Sequence, residues 1–259
     1  MVRAAFFDLD KTVIAKSSLL AWGPELHARG LLHRRTLVGA GIAQFWFQRF
    51  GADDKRLDRV RQAVLKVTRG WNRDQIRDMV RETVNDVIEP LLYAEALELI
   101  DHHLAQGDDV YLVSSAPAEI VEPFAEVLHL TGTISSIARV DDEGRFTVEM
   151  TFFAQGPHKA DAIREVAARR GIDLTDSYAY SDSISDVPML DVVGHPYVVN
   201  ADRALARLAQ ERSWPQLTFS HPVTALSRTR SHTPVVVSAA LGVAAATALG
   251  AVGLRNQRR

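Results

Sequence analysis

The chain has no cysteine among its 259 residues. That absence excludes disulfides, a thiolate nucleophile and Cys-ligated zinc together, and it fits a cytosolic setting. Neither sign of charge is in excess, with 30 Lys and Arg against 32 Asp and Glu for a formal net charge of −2. A nucleic-acid partner normally calls for a basic surplus or stripe, so that class is set aside. No secretory leader is expected at Met1–Asp10, where Asp8 and Asp10 interrupt a short apolar run. No internal repeat is visible. What is present is a globular composition, 47% hydrophobic and 24% charged, in one large domain or two modest ones.

The C-terminus stands apart. Val235 to Leu254 contains no charged residue and is built of Val, Ala, Leu, Gly, Ser and Thr. As a helix it would reach about 30 Å, the depth of a bilayer's hydrocarbon. Arg228, Arg230 and His232 precede it, and Arg255, Arg258 and Arg259 follow. A soluble helix should carry a polar face, and only Ser238 and Thr247 offer one. The expectation is a membrane anchor over 234–254, joined by a linker over 221–233. Basic residues on both flanks leave its orientation open.

Between the ends, short apolar strands alternate with helical stretches. Arg3–Leu9, Asp109–Val113, Ser177–Tyr180 and Tyr197–Val199 read as strands. Thr133–Val140 and Arg145–Thr151 read as a hairpin around Asp141–Gly144. Helical spacing runs from about Ser18 to Gln106, as in Ile76, Met79, Val80, Thr83, Val84, Val87 and Ile88. Further helices are expected from about Pro117, over His158–Arg170 and over Ala201–Glu211, with polar, proline-punctuated chain from Trp214 to Pro234. Such alternation implies an α/β fold with a parallel sheet covered on both faces, its site at the carboxyl ends of the strands.

The polar residues at those ends are Asp8 and Asp10, Ser114 and Ser115, and Asp182 with Asp186; Lys159 opens a helix. Carboxylates that converge in one cleft repel each other unless a cation lies among them. With only oxygen donors available, the natural cation is Mg2+. Ser114, the amides of its turn and Lys159 are donors suited to phosphate oxygens. A carboxylate can attack phosphorus, and a second one two residues on can move the protons. Each piece alone is commonly a turn, a cap or a solvated charge. Only the set, in this order, points to phosphate chemistry.

That set resembles the haloacid dehalogenase-like superfamily, in its phosphoserine phosphatase-like branch. Asp8-Leu9-Asp10-Lys11-Thr12 is similar to the first motif, and Val110–Ser114 to the second. Lys159 in Gly156-Pro157-His158-Lys159 and Asp182 with Asp186 in Tyr180–Asp186 match the third and fourth. The resemblance covers about Arg3 to Phe219. It implies a Rossmann-like core over 1–15 and 91–220, with a helical cap inserted over 16–90. It also implies a Mg2+-dependent phosphomonoester hydrolase with Asp8 as nucleophile and Asp10 as general acid/base. Asp8, Asp10 through its carbonyl, Asp182 and Asp186 would surround the metal. Ser114, Ser115 and Lys159 would hold the phosphoryl group.

The departures concern the substrate. Phosphoserine phosphatases place an acid soon after the first motif, whereas this chain has Ala15-Lys16-Ser17-Ser18 and no acid before Glu25. Ser114-Ser115-Ala116-Pro117 replaces the usual Ser-Gly-Gly, and Ser185 replaces the usual Asn. The substrate is therefore left as a small phosphorylated metabolite, phosphoserine-like or lipid-borne. Trp22, Phe45, Trp46, Phe47 and Phe50 are most simply core residues, but with a membrane tail they could line a lipid pocket. The histidines show no ligand spacing, and His102-His103 is expected on a helix face near solvent. Two alternatives stay open: a membrane-tethered phosphotransferase sharing the aspartyl-phosphate, and a binding protein that kept the fold.

Overall fold

Four consecutive apolar residues form β1 (Ala4–Phe7), and all four are buried. A strand apolar on both faces needs cover on both sides, which its place in the sheet supplies. The computed structural model describes residues 2–33 and 54–221. After β1 come α1 (Ser18–Ala21), α2 (Gly23–Ala28), α3 (Asp54–Thr68), α4 (Arg73–Ile88) and α5 (Ala94–Ala105). The chain continues through β2 (Asp109–Pro117), α6 (Ala118–Val127), β3 (Gly132–Val140), β4 (Phe146–Phe152) and α7 (Pro157–Arg170). It ends with β5 (Tyr178–Ser181), α8 (Val187–Leu190), β6 (His195–Val199), α9 (Arg203–Glu211) and β7 (Gln216–Leu217).

The seven strands lie in the order β4-β3-β2-β1-β5-β6-β7. Every neighbouring pair is parallel except β3 and β4, which form the expected hairpin. This is the α/β, Rossmann-like arrangement. From β1 the chain builds outward through β2 to β3, then crosses back to add β5, β6 and β7 on the other side. The crevice of such a sheet opens at that reversal, beyond the carboxyl ends of the central strands.

The pleat sends alternate residues to opposite faces. Ala5, Phe7, Val110, Leu112 and Tyr180 enter one apolar cluster; Ala4, Phe6, Tyr111, Val113 and Ala179 enter the other. The first cluster also takes in Trp22 and the stripe Ile76, Met79, Val80, Val84 and Ile88 of α4. Thr83 and Val87 on that stripe are half-buried, and Thr83 accepts the Trp22 indole N–H at 3.2 Å. The second cluster lies under α7, α8 and α9, with Ile163, Met189 and Leu205 at its heart.

Two features depart from expectation. Gln216–Leu217, read as polar chain after the last helix, adds a seventh strand beside β6. A two-residue strand has no periodicity to detect; it is held by the Asn200 amide, which brackets the Phe219 backbone at 3.0 and 3.1 Å. The other departure is His103. It is 3% exposed, not on a solvent face, although its neighbour His102 is exposed. The 3.6-residue helical turn points the two side chains about 100° apart, and α5 packs with His103 inward.

The apolar segment 235–254, the linker beyond residue 221, and Phe45, Trp46, Phe47 and Phe50 lie outside the described residues. Among the described residues, no helix is long and apolar enough to cross a membrane.

Candidate active site

β1 delivers Asp8 to the carboxyl edge of the sheet, where its N–H donates to the Tyr180 carbonyl at 2.9 Å. The chain then turns tightly: the Leu9 carbonyl accepts the amides of Val13 and Ile14 at 3.0 and 3.1 Å. Lys11 takes a left-handed φ of 63° within this turn. Asp10 Oδ1 accepts the N–H of Ser18, the first residue of α1, at 2.8 Å. Burial pushes the Asp10 carboxyl above the ordinary range, and the Ser18 and Ser17 hydrogen bonds pull against it.

Lys159 lies in the first turn of α7. Gly156, immediately before that helix, has φ +53° and ψ −125°, a conformation that a Cβ would strain. Pro157 then occupies the first helical position, where its missing N–H costs nothing. The Lys159 ammonium is buried between two carboxylates, 2.7 Å from Asp8 Oδ1 and 2.8 Å from Asp186 Oδ2. Burial alone would depress this lysine, but Asp186 and Asp8 outweigh it and hold the ammonium charged. Asp186 Oδ2 also accepts the Ser181 hydroxyl at 2.7 Å.

Asp8 is raised well above the carboxylate range by burial, with Lys159 lowering it and Asp186 and Asp182 raising it further. Asp182 is pushed up to about 7 by burial, which Lys11 offsets in part and Asp186 reinforces. Lys11 Nζ stands 3.7 Å from Asp182 Oδ2. The Asp182 carbonyl accepts the Asp202 N–H at 2.8 Å, and Asp202 in turn caps α9.

Ser114 lies in β2, two positions beyond the Phe7–Leu112 pairing, so it stands on the same edge beside the Asp8 loop. It is buried, and its Oγ accepts the Ala116 N–H at 3.1 Å, leaving the hydroxyl proton to donate. Ser115 is exposed, and its carbonyl accepts the Ser136 hydroxyl at 2.8 Å.

Asp8 and Asp186 thus both contact Lys159, and Asp182 acts on Asp8 through its charge. Asp10 feels the charge of Lys159, but among the described residues the hydrogen bonds of Asp10, Ser114 and Ser115 go elsewhere. Among the described residues, no group of three or more His, Asp or Glu side chains is gathered as a ready metal cage. Ser181 and Lys11 were not singled out by sequence reasoning. The signal was present: Ser181 ends a buried strand just before Asp182, and Lys11 is the only cation inside the Asp8–Thr12 turn.

A family model for haloacid dehalogenase-like hydrolases matches residues 5–191. The chain belongs to that family. It is 47% identical to the inhibition of morphological differentiation protein of Streptomyces azureus, over 99% of this chain and 94% of that one. A probable phosphatase of Mycobacterium tuberculosis is 46% identical over 99% of this chain and 89% of its own. A phosphoserine phosphatase of the same species is 33% identical over the whole of this chain and 82% of its own. Among solved structures, a protein of unknown function from Bordetella pertussis superposes with a TM-score of 0.72 at 25% identity, over 84% of this chain and 99% of that one.

Proposed function

We propose that this chain hydrolyses phosphomonoesters through an aspartyl-phosphate on Asp8. The observation that carries the reading is the buried Asp8–Lys159–Asp186 contact at the carboxyl edge, with a second carboxyl, Asp10, two residues on. Asp8 attacks phosphorus and the ester oxygen leaves. Asp10, lifted by burial, is suited to give that oxygen its proton and then to take one from the attacking water. Lys159 neutralises Asp8 before attack and the phosphoryl oxygens after it, and the Ser114 hydroxyl donates to one of those oxygens. The exposed Ser115 is the outer member of this phosphate contact. The helices between residues 16 and 90 act as the cap that excludes water.

The donors present suit Mg2+. Asp8, Asp182 and the Asp10 carbonyl are all oxygen ligands, and the raised Asp8 and Asp182 carboxyls are short of positive charge. Asp186, engaged by Lys159 and Ser181, supports that shell. When bound, the ion would stabilise charge on the transferring phosphoryl group.

The substrate reading is a small alcohol phosphate. Phosphoserine is disfavoured because Ser17 and Ser18, in the place of an acid, serve Asp10 instead. A lipid-borne phosphate goes with membrane anchoring through 235–254. The test is phosphate release by the full chain from a panel of aryl, amino-acid, sugar, nucleotide and lipid phosphomonoesters. Release that needs Mg2+ and vanishes in Asp8→Asn is expected. Release that survives chelation or that substitution overturns the reading.

A further inference from the structure

The histidine that turned inward sits in a built polar chain. His103 Nδ1 is 2.8 Å from Asp108 Oδ2, and His103 Nε2 is 2.9 Å from the Tyr180 hydroxyl. Asp108 Oδ1 accepts Arg3 Nε at 2.9 Å. The carboxylate can only accept, so the neutral imidazole carries its proton on Nδ1 and presents a lone pair at Nε2. The Tyr180 O–H must then donate to it. One direction of hydrogen bonding satisfies the set, and it orients the Tyr180 side chain.

Tyr180 also borders the chemistry without being part of it. Its ring stacks on Phe7 with centroids 4.4 Å apart and planes 10° apart. Its carbonyl accepts the Asp8 N–H, and the next two residues are Ser181, bonded to Asp186, and Asp182. Apolar packing alone does not require this arrangement. Phe7 and Tyr178 already surround His103 with rings at 6.0 and 4.8 Å, and an aromatic hydrocarbon would fill the site without burying a charge. A satisfied buried network fixes one geometry where apolar contacts would allow several.

We propose that His103 is a positioning residue: through Tyr180 it sets the backbone that carries Asp8 and Asp182. The inference rests on the phosphatase reading for its kinetic consequence only. His103→Phe keeps a ring and removes both hydrogen bonds; Tyr180→Phe removes only the hydroxyl. Both variants are expected to lower kcat by about tenfold with KM within about twofold, because misplacing a reacting group costs the transition state. The double variant should be no worse than His103→Phe alone, since that change already breaks the bond that Tyr180→Phe removes. His103→Gln, which can accept from Tyr180 and donate to Asp108, should recover part of the loss.

A second readout needs no turnover. Amide hydrogen exchange of the full chain, read by NMR, should speed at Asp8 in both Phe variants and stay unchanged at Val198 in β6. An inactive wild type would defeat the phosphatase reading and leave the exchange result to decide this one. Unchanged kcat in an active enzyme, or unchanged exchange at Asp8, would overturn the positioning role.

Discussion

Lys159 shows how one side chain can hold a site together. Its ammonium is the shared partner of two buried carboxylates, so removing it leaves Asp8 and Asp186 facing each other without compensation. Breaking a buried ion pair from one side costs about 3 to 5 kcal/mol. Lys159→Met is therefore expected to lose stability on that scale at neutral pH as well as turnover. Denaturant midpoints measure it, and an unchanged midpoint would mean the three groups are not coupled. His103 makes a second prediction at this scale. Burial lowers its imidazole, against the pull of Asp108; His102 and Arg3 lower it further, and Tyr178 and Tyr180 are the phenols that face it. The folded chain therefore keeps His103 neutral where the unfolded chain takes up a proton, below about pH 6.5. Its contribution to stability is complete above that pH and is lost as pH falls toward the lowered folded value. Replacing His103 with Phe should flatten the acid side of the stability profile between those points. The seven site residues were legible because each motif is local to one strand end or one helix start. The contacts that tie them together were not: Lys159 reaches Asp8 across 151 positions and His103 reaches Tyr180 across 77.

At the scale of elements, α4 and α6 run side by side with Arg77 paired to Glu122 and Arg81 to Glu126. These pairs are partly or fully solvent-exposed, and such pairs contribute little to stability. Glu126→Ala should shift the unfolding midpoint only slightly, because the apolar stripe of α4 carries that interface. Glu119, in the first turn of α6, behaves differently. It is buried, its Oε2 has no hydrogen-bond partner among the described residues, and burial raises its carboxyl. An acid raised on folding binds more protons folded than unfolded, so it destabilises progressively as pH rises through its unfolded value near about 4.3. Glu119→Gln should be at least as stable as the parent at pH 7 and show less decline between acid and neutral pH. A clear loss of stability at pH 7 would mean that the carboxylate has a partner it needs. Gly194 marks a join between elements: a Cβ there would lie 1.7 Å from the Thr175 carbonyl oxygen. The turn before β6 has no room to yield, so Gly194→Ala should cost about 3 kcal/mol or more in thermal unfolding. β1, β2, β5 and α7 could be read from apolar runs and cap residues. β7 could not, because its two residues become a strand only by meeting β6.

For the whole molecule, the decisive event is the crossing of the chain from β3 and β4 back to the far side of β1. That reversal sets Asp8 and Asp182 on adjacent parallel strands, with Lys159 arriving from the helix before β5. The carboxyl edge then carries more negative charge than Lys159 and Lys11 offset, and a bound cation should stabilise the fold. Mg2+ well above its dissociation constant is expected to raise the Tm of the full chain, by about 2.7 kcal/mol of stability at a hundredfold excess. Asp182→Asn should abolish most of that rise, and a Tm indifferent to Mg2+ would count against the metal reading. Composition and local pattern by themselves determined the class of fold, the strand ends that matter and the residue types gathered there, because strand runs, helix caps and motif spacing are properties of a few neighbouring residues. Only the tertiary structure decided which face of α5 turned inward, which strand closed the sheet and which carboxylates share the buried Lys159. Those outcomes depend on contacts between residues distant in the chain, and a local pattern holds no information about them until the sheet has closed.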